Sequence, residues 1–288
     1  MEVISKVEQI LGTEIEIKLP KESQSFFPFC FNLAREIEDK YSRFKKNNTL
    51  EKINKNLNRW QKVDEETFFL IEKSLELGIK TEGNFDISVK NALEKIGYDS
   101  EYSFVEKNEE EERIEDPIQI NREKNEIFLK REIEFGGIGK GYFLDKVAGF
   151  LKSNKIENFY INAGGDIIAN STKDPWPILL EHPDNSEMAI GKINLNGKSI
   201  AASAANKRKW GKNHHLINAK TRKPANNTKA IFVIAETAIE ADCYATALFC
   251  AGFIDGIEIG EKLPIDFLSI SNENKVYKSE NFEVEFFE

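Results

Sequence analysis

Four glycines fall within six residues, Gly136-Gly137-Ile138-Gly139-Lys140-Gly141, the densest glycine cluster in the chain. It stands between a short apolar stretch, Ile133 to Phe135, which reads as a strand, and a helical spacing from Tyr142 to Leu151. Glycines at such a junction let the backbone approach a ligand closely, and the first N–H groups of the following helix suit an anion. Lys140 precedes Gly141 rather than Ser or Thr, so the run is not a P-loop, and its spacing also fails the dinucleotide fingerprint. A tight turn and a phosphate cradle both stay open. A second pair, Gly164-Gly165, ends a strand ahead of Asp166 and adds weight to the cradle.

Composition narrows the classes. A chain of 288 residues can bury a real core, and 40% hydrophobic with 31% charged residues is a soluble composition rather than a disordered or membrane one. Forty Lys and Arg against 49 Asp and Glu leave a net charge of −9. That argues against general affinity for nucleic acid or anionic lipid, since both need a positive face. Twenty-one Phe, against 7 Tyr and 3 Trp, point to an aromatic-rich core.

Cys30, Cys243 and Cys250 form no CxxC pair, and an odd number gives no disulfide framework. Cys243 and Cys250 lie in one expected helix, roughly 10 Å apart along its axis, too far to bridge. All three read as small buried hydrophobes. Met1 to Glu8 has no apolar core or cleavage site of a signal peptide, and no stretch reaches the length of a membrane span. As it stands the sequence points to the cytoplasm; an export segment removed from it would point to a periplasmic or lipid-anchored protein.

Strands and helices interleave without the regular rhythm of a doubly wound sheet, which predicts an α+β fold in a single domain, 1–288. Glu14 to Leu19 alternates as a one-sided strand. Gln24 to Phe44 has helical spacing through Phe29, Leu33, Ile37, Tyr41 and Phe44, with Pro28 tolerable in the first turn. Glu65 to Lys80 is a second amphipathic helix, and Glu106 to Asp116 an acidic loop. Further strands are expected at Ile127 to Leu129, Phe159 to Ile161, Ile178 to Leu180, Ile193 to Leu195, Ile231 to Ile234, Phe267 to Ser271 and Phe282 to Phe286. Thr237 and Glu240 form a capping box at the start of a helix.

Asp242 and Thr246 lie four apart on that helix and so share a face, offering the hard oxygens Mg²⁺ prefers. The plainer alternative is that Thr246 bonds back to its own helix while Asp242 favours the helix N-terminus. His214-His215 is a poor metal motif, because neighbours in a strand point apart. Either ring can serve as a base near neutral pH, although a surface histidine explains them as well.

Taken in order, these pieces resemble the ApbE family, flavin transferases that attach FMN to proteins. Leu11-Gly12-Thr13 is similar to the family's MGT-like entry. Tyr41-Ser42-Arg43-Phe44 with Ile53-Asn54 resembles its S-x-aromatic…N segment, and Gly83 to Val89 its G-a-F-D-P-T-V. Phe135 to Asp145 resembles L-G-G-I-A-K-G-Y-x-x-D, and Asn162 to Ile167 resembles N-x-G-G-D-I. His214 to Pro224 stands where the family has H-I-I-D-P-x-T-G-x-P, and Ala241 to Leu248 resembles A-D-A-x-A-T-A-L.

The resemblance implies a T-fold-like arrangement of mixed and antiparallel sheets with helices packed around a central FAD cleft. It implies a flavin ring against Phe44, near Asn84, Phe85 and Asp86, with Leu11, Gly136, Lys140, Tyr142, Leu216 and Thr221 also at the cofactor. Mg²⁺ would be held by the main-chain oxygen of Gly139 with Asp242 and Thr246. A partner's Thr or Ser hydroxyl would attack the FMN-side phosphorus of FAD and release AMP, with His215 or Asp242 taking the proton.

Two segments depart from the family. Ala202-Ser203-Ala204-Ala205 stands for T-S-G-D, and Asn218-Ala219-Lys220-Thr221-Arg222 for D-P-x-T-G. Asn218 carries no charge with which to orient His215, and Arg222 in place of Gly excludes an easy left-handed turn. Two readings follow: an active FMN transferase with an altered pocket, or a flavin-binding paralogue that is non-catalytic or only hydrolyses FAD to FMN and AMP. The retained metal pair favours the first.

Overall fold

In the computed structural model, which describes residues 2–99, 102–107, 114–206, 208–211 and 213–287, the alternation from Glu14 to Leu19 has its expected result. Ile15, Ile17 and Leu19 are fully buried on one face of a strand. That strand is β2 (Thr13–Pro20), the second arm of a hairpin begun by β1 (Val3–Ile10). Then come α1 (Phe27–Tyr41), α2 (Thr49–Asn54), β3 (Trp60–Lys62), α3 (Glu65–Lys80) and α4 (Lys90–Lys95). β4 (Ile118–Asn121), β5 (Glu126–Leu129) and α5 (Gly139–Ser153) lead to two hairpins, β6 (Phe159–Ala163) with β7 (Asp166–Asn170), and β8 (Trp176–His182) with β9 (Asn185–Leu195). β10 (Ser199–Ala204) precedes four short strands, β11 (Lys209–Trp210), β12 (Asn213–His214), β13 (Ile217–Asn218) and β14 (Lys223–Pro224). β15 (Thr228–Ala235), α6 (Ala238–Ala251), α7 (Phe253–Gly260), β16 (Asp266–Ser271), β17 (Val276–Lys278) and β18 (Glu285–Phe286) complete the order.

The fold is α+β. Eight strands make one sheet in the order β1-β2-β6-β7-β10-β15-β16-β17, and every neighbouring pair is antiparallel. One face packs under α5 and α6; the other packs against β8 and β9, which form a separate sheet with β18. β15 is therefore buried on both sides, with Ile231 and Val233 facing the helices and Ala230 and Phe232 facing the β8–β9 hairpin. A strand covered on both faces has no polar side to show, which is why it reads as a continuous apolar run. Strand parity also decides where Asp166 points. In β7, Ile168 faces the helices and Ile167 the opposite core, so Asp166 lies on the helix side.

Two contacts lock α5 to α6. A Cβ on Gly141 would meet the Ala238 carbonyl oxygen at 2.4 Å, so the helices approach as closely as they do only because that residue is glycine. One turn on, the Asp145 carboxylate accepts from the N–H groups of Ala238 (2.8 Å) and Ile239 (2.9 Å), and burial pushes its pKa up to about 6. Thr237 caps α6 by accepting from the Glu240 N–H, as the capping box predicts. All three cysteines are buried free thiols.

Several elements differ from expectation. Ile133 to Phe135 joins no strand ladder among the described residues; the Asn54 side chain clamps Ile133 instead, accepting from its N–H at 2.9 Å and donating to its carbonyl at 2.8 Å. The helix expected from Gln24 ends at Tyr41, so Phe44 lies beyond it. Phe29 is 46% exposed and stacks on Phe150 rather than entering the core. The strand expected over Phe282 to Phe286 shortens to β18. β1, whose apolar residues Val3, Ile4, Val7 and Ile10 do not alternate, is a strand that the sequence does not announce. Of the acidic loop, residues 108–113 lie outside the described residues. Among the described residues no helix is long and apolar enough to cross a membrane.

Candidate active site

Lys140 enters the first turn of α5 directly after the glycine run, and its ammonium group lies between two buried carboxylates. It pairs with Asp166 at the start of β7 and with Asp242 of α6, the latter at 3.3 Å. Both aspartate side chains are almost wholly buried, at 3% and 5% exposure. The second oxygen of Asp242 accepts from the Gly141 N–H at 3.1 Å, and Asp166 accepts from the Ala202 N–H at 3.3 Å. Burial pushes Asp166 upward, against the pull of Lys140, and the neighbouring Asp242 charge adds to the rise. Asp242 thus serves the start of α5 rather than its own helix terminus.

Thr246, one turn beyond Asp242, does not bond back to its helix; its hydroxyl has no hydrogen bond among the described residues. It lies beside Gly137, where a Cβ would be 3.1 Å from the Phe85 ring and 3.5 Å from Thr246 Oγ1. The Cys243 thiol donates to the Gly137 carbonyl at 3.3 Å, fixing that turn against α6. No three His, Cys, Asp or Glu side chains converge for a metal ion among the described residues. A cation held here would rely on one or two carboxylates with hydroxyl and carbonyl oxygens. That donor set suits Mg²⁺, and a lysine ammonium between two aspartates marks a place that demands positive charge.

A second cluster is aromatic and basic. The Arg43 guanidinium lies over the rings of Phe44 (4.6 Å) and Tyr98 (4.2 Å) and donates to the Tyr98 carbonyl at 2.8 Å. Its other terminal nitrogen is buried and has no partner among the described residues. Tyr102 stacks on Phe44 at 4.7 Å, Trp210 stacks on Tyr98 at 5.5 Å, and Arg208 donates to the Tyr98 hydroxyl at 2.9 Å. The Arg208 guanidinium also reaches the Gly12 carbonyl, which brings the Leu11–Gly12 turn to this cluster. His215 meets Tyr98 edge to face at 6.4 Å, and its Nδ1 is buried and has no partner among the described residues. Burial pushes its pKa down to about 3, helped by the charges of Arg208, His214 and Lys140. At neutral pH His215 is therefore uncharged. Neither histidine is a surface residue: His214 is 6% exposed, with Nε2 against the Ala225 carbonyl and Nδ1 accepting from the Leu216 N–H.

Other predicted residues serve the scaffold. Tyr142 lies two residues past Lys140, about 200° around the helix, and gives its hydroxyl to Glu66 of α3. Asn84 donates to the Thr81 carbonyl, and Gly136 gives its N–H to the buried Glu134 carboxylate at 2.8 Å. Gly139 opens α5 with free space in front of it. Leu216 packs into the main core. Thr221 is exposed and is the one predicted site residue to line a cavity of about 760 Å³, shared with Lys95, Lys209, His214, Lys223 and Asn272.

Asn218 turns away from His215, donating to the Cys250 carbonyl at 2.6 Å and accepting from the Thr221 N–H at 2.8 Å. Arg222 was expected to exclude a left-handed turn, yet it occupies one, at φ 59°. Its side chain holds it there: Nη2 donates to Asp86 (2.9 Å) and Ser88 Oγ (3.2 Å), and Nη1 to the Ser88 carbonyl (3.3 Å). Arg222→Ala is expected to cost about 2 kcal/mol, read as a lower urea midpoint at unchanged slope. Arg222→Gly, which relieves the positive φ, is expected to lose roughly 1 kcal/mol less. Equal losses in the two variants would show that the turn stores no strain.

The site also takes in Tyr98, Arg208 and Glu134, which the sequence does not single out, and Asp166 and Arg43, which stand in family-like segments without a role of their own. Asp166 was detectable from its parity with Ile168 after a glycine pair. Arg43 and Tyr98 carry no spacing signal that separates them from surface residues.

An eight-stranded antiparallel sheet under α5 and α6, with a lysine and two aspartates buried at their junction, places the chain in a known structural class. The structure superposes on the ApbE protein of Thermotoga maritima MSB8 with a TM-score of 0.90, at 25% identity over 98% of each chain. It matches the flavin transferase ApbE of Vibrio cholerae with a TM-score of 0.83, at 23% identity over 98% of each chain, a likeness of fold. Among curated proteins, the FAD:protein FMN transferase of Escherichia coli (strain K12) is 24% identical over 261 residues, covering 83% of this chain and 74% of that one. The enzyme of the same name from Buchnera aphidicola subsp. Schizaphis graminum is 26% identical over 271 residues, covering 84% and 78%. The ApbE family profile matches residues 11–268, and the chain belongs to the ApbE family.

Proposed function

We propose that this chain is a Mg²⁺-dependent FAD:protein FMN transferase, acting as one domain over residues 1–288, that moves FMN to a Thr or Ser hydroxyl of an acceptor protein and releases AMP. Membership of the ApbE family makes it a flavin transferase. The observation that carries the finer reading is the pairing of two unlike clusters. One has aromatic rings with two unpartnered buried nitrogens, Arg43 Nη2 and His215 Nδ1; the other has the Lys140 ammonium between Asp166 and Asp242. A ligand with a planar ring at one end and phosphates at the other suits both.

Mg²⁺ held by Asp242, Thr246 and the Gly139 carbonyl would supply divalent charge to the pyrophosphate. Lys140 would bring its positive charge to the same phosphates, whereas the Gly139 and Gly141 N–H groups at the start of α5 are taken by the Phe135 carbonyl and the Asp242 carboxylate. Arg43, Phe44 and Tyr98 orient the ring. The acceptor oxygen bonds to the FMN-side phosphorus, the bond from that phosphorus to the bridging oxygen of AMP breaks, and the hydroxyl proton passes to the Asp242 carboxylate or to His215, whose burial leaves it the weaker base.

The test is incubation with FAD, Mg²⁺ and a Ser/Thr-containing acceptor, read as a mass increase equal to covalent FMN. Asp242→Ala and His215→Ala are each expected to lower transfer at least 100-fold. Full transfer by His215→Ala would remove the histidine as base. Free FMN and AMP without adduct would instead assign hydrolysis.

A further inference from the structure

The cavity of about 760 Å³ that Thr221 lines belongs to neither of the two clusters. No residue of the Lys140–Asp166–Asp242 group or of the Arg43–Phe44–Tyr98 group is in its walls. His214 is in the wall, while the next residue, His215, meets Tyr98. Neighbours in extended chain point apart, so this short stretch stands between the cavity and the aromatic cluster.

The walls invert the charge of the chain. Its net charge is −9, yet the cavity takes Lys107, Lys209 and Lys223 from three separate segments. None of the three ammonium groups makes a hydrogen bond or ion pair among the described residues. Lys95 and Glu106 also line the space, but both are already engaged, and the Arg222 guanidinium is paired with Asp86. Three unpaired like charges around one concave space concentrate positive potential in it.

The buried polar groups of the wall agree. Arg222 is 8% exposed, and its Nε, which can only donate, has no partner among the described residues. Thr228 is 2% exposed, and its hydroxyl is in the same condition. A buried donor left unpaired costs about 1–3 kcal/mol, which a ligand oxygen would recover. Asn213, Asn226 and Asn272 add side-chain amides to the same walls. No Phe, Tyr or Trp is among the described lining residues, so no ring is there on which a base or a flavin could stack.

We propose that this cavity binds a compact, ring-free anion with three or more negative charges, a short polyphosphate or a tricarboxylate. Its oxygens pair with Lys107, Lys209 and Lys223 and accept from the Arg222 and Thr228 donors of the wall. The cations come from three segments around one space rather than in a row along one element, which matches a compact anion and not an extended acidic peptide. The bound anion ties the three segments together.

The experiment titrates the full chain with tripolyphosphate and with citrate, without Mg²⁺, by calorimetry and thermal melting. Saturable binding and a higher melting temperature are expected, weakening as ionic strength rises from about 0.02 to about 0.2 M. Whichever anion binds more tightly identifies phosphate or carboxylate as the natural group. Lys209→Gln combined with Lys223→Gln is expected to weaken binding at least tenfold, with the melting temperature in buffer alone unchanged. Lys52→Gln combined with Lys62→Gln removes the same charge outside the cavity and is expected to bind as the parent chain does. Equal weakening by both pairs would reduce the effect to net charge and overturn the site, as would the absence of saturable binding by either anion. Displacement of the bound anion by FAD would make the cavity part of the flavin's own site. Tighter binding of a tetraglutamate peptide than of either anion would assign it to a protein segment. Either of those two results also overturns the proposal.

Discussion

Replacing Lys140 with methionine is expected to destabilise the chain by about 3–5 kcal/mol, the usual cost of stranding buried charge, and to lower FMN transfer more than 100-fold. The ammonium lies between Asp166 and Asp242, and both side chains are too buried for water to take its place. Stability and chemistry can be separated with a second change. Lys140→Met combined with Asp166→Asn leaves one carboxylate instead of two and is expected to recover at least half of the lost stability in urea, while transfer stays lost. An unchanged urea midpoint for Lys140→Met alone would show that the two aspartates are neutral or solvated without it.

The second large effect comes from one methyl group. Gly141→Ala places a Cβ 2.4 Å from the Ala238 carbonyl oxygen and 2.7 Å from Ile239 Cα, both backbone atoms that cannot rotate away. α5 has to move off the start of α6, at a cost of about 1–3 kcal/mol. The same shift carries Lys140 and the Gly141 N–H away from Asp242, so transfer is expected to fall 10- to 100-fold. Gly149→Ala, on the same helix, is the control. Beyond its own stretch of helix, no described atom lies within 4 Å of its added Cβ, and better helix propensity is expected to leave stability equal or slightly higher. If the two variants behave alike, the close approach of α5 and α6 does not set the site.

The contrast between these two glycines shows what a sequence can and cannot reveal. The run from Gly136 to Gly141 announces a constrained turn at a helix start, and Asp242 with Thr246 announces a polar face on the capped helix. Both are periodic or compositional signals within one segment. That Gly141 rather than Gly139 meets the other helix is a property of two segments together, and no spacing encodes it. β1 escaped notice because its four apolar residues, Val3, Ile4, Val7 and Ile10, follow no strict alternation, and all but Ile10 stay at least partly exposed on the edge of the sheet. Ile133 to Phe135 reads as a strand because the alternation of Ile133, Glu134 and Phe135 is the same whether the partner is a strand or, as here, the amide of Asn54. His214 and His215 read as surface residues in a Lys-rich stretch, but the 213–225 segment folds inward over Phe249 and Tyr98. Arg222 is the most instructive case. Its positive φ is disfavoured by its own side chain and maintained by that side chain's bonds to Asp86 and Ser88, far away in sequence.

Those separations bear on how the molecule comes into being. The Asn54 clamp on Ile133 spans 79 positions, the Gly141–Asp242 bond 101, and the Asp86–Arg222 pair 136. Contacts this distant in the chain close late, because each must first overcome the entropy of a long loop. Until Asp242 has been synthesised and packed, the charged cluster lacks one of its two carboxylates and α5 lacks the helix that positions it. A chain caught partway through translation, or cut before α6, has nothing with which to spend a flavin.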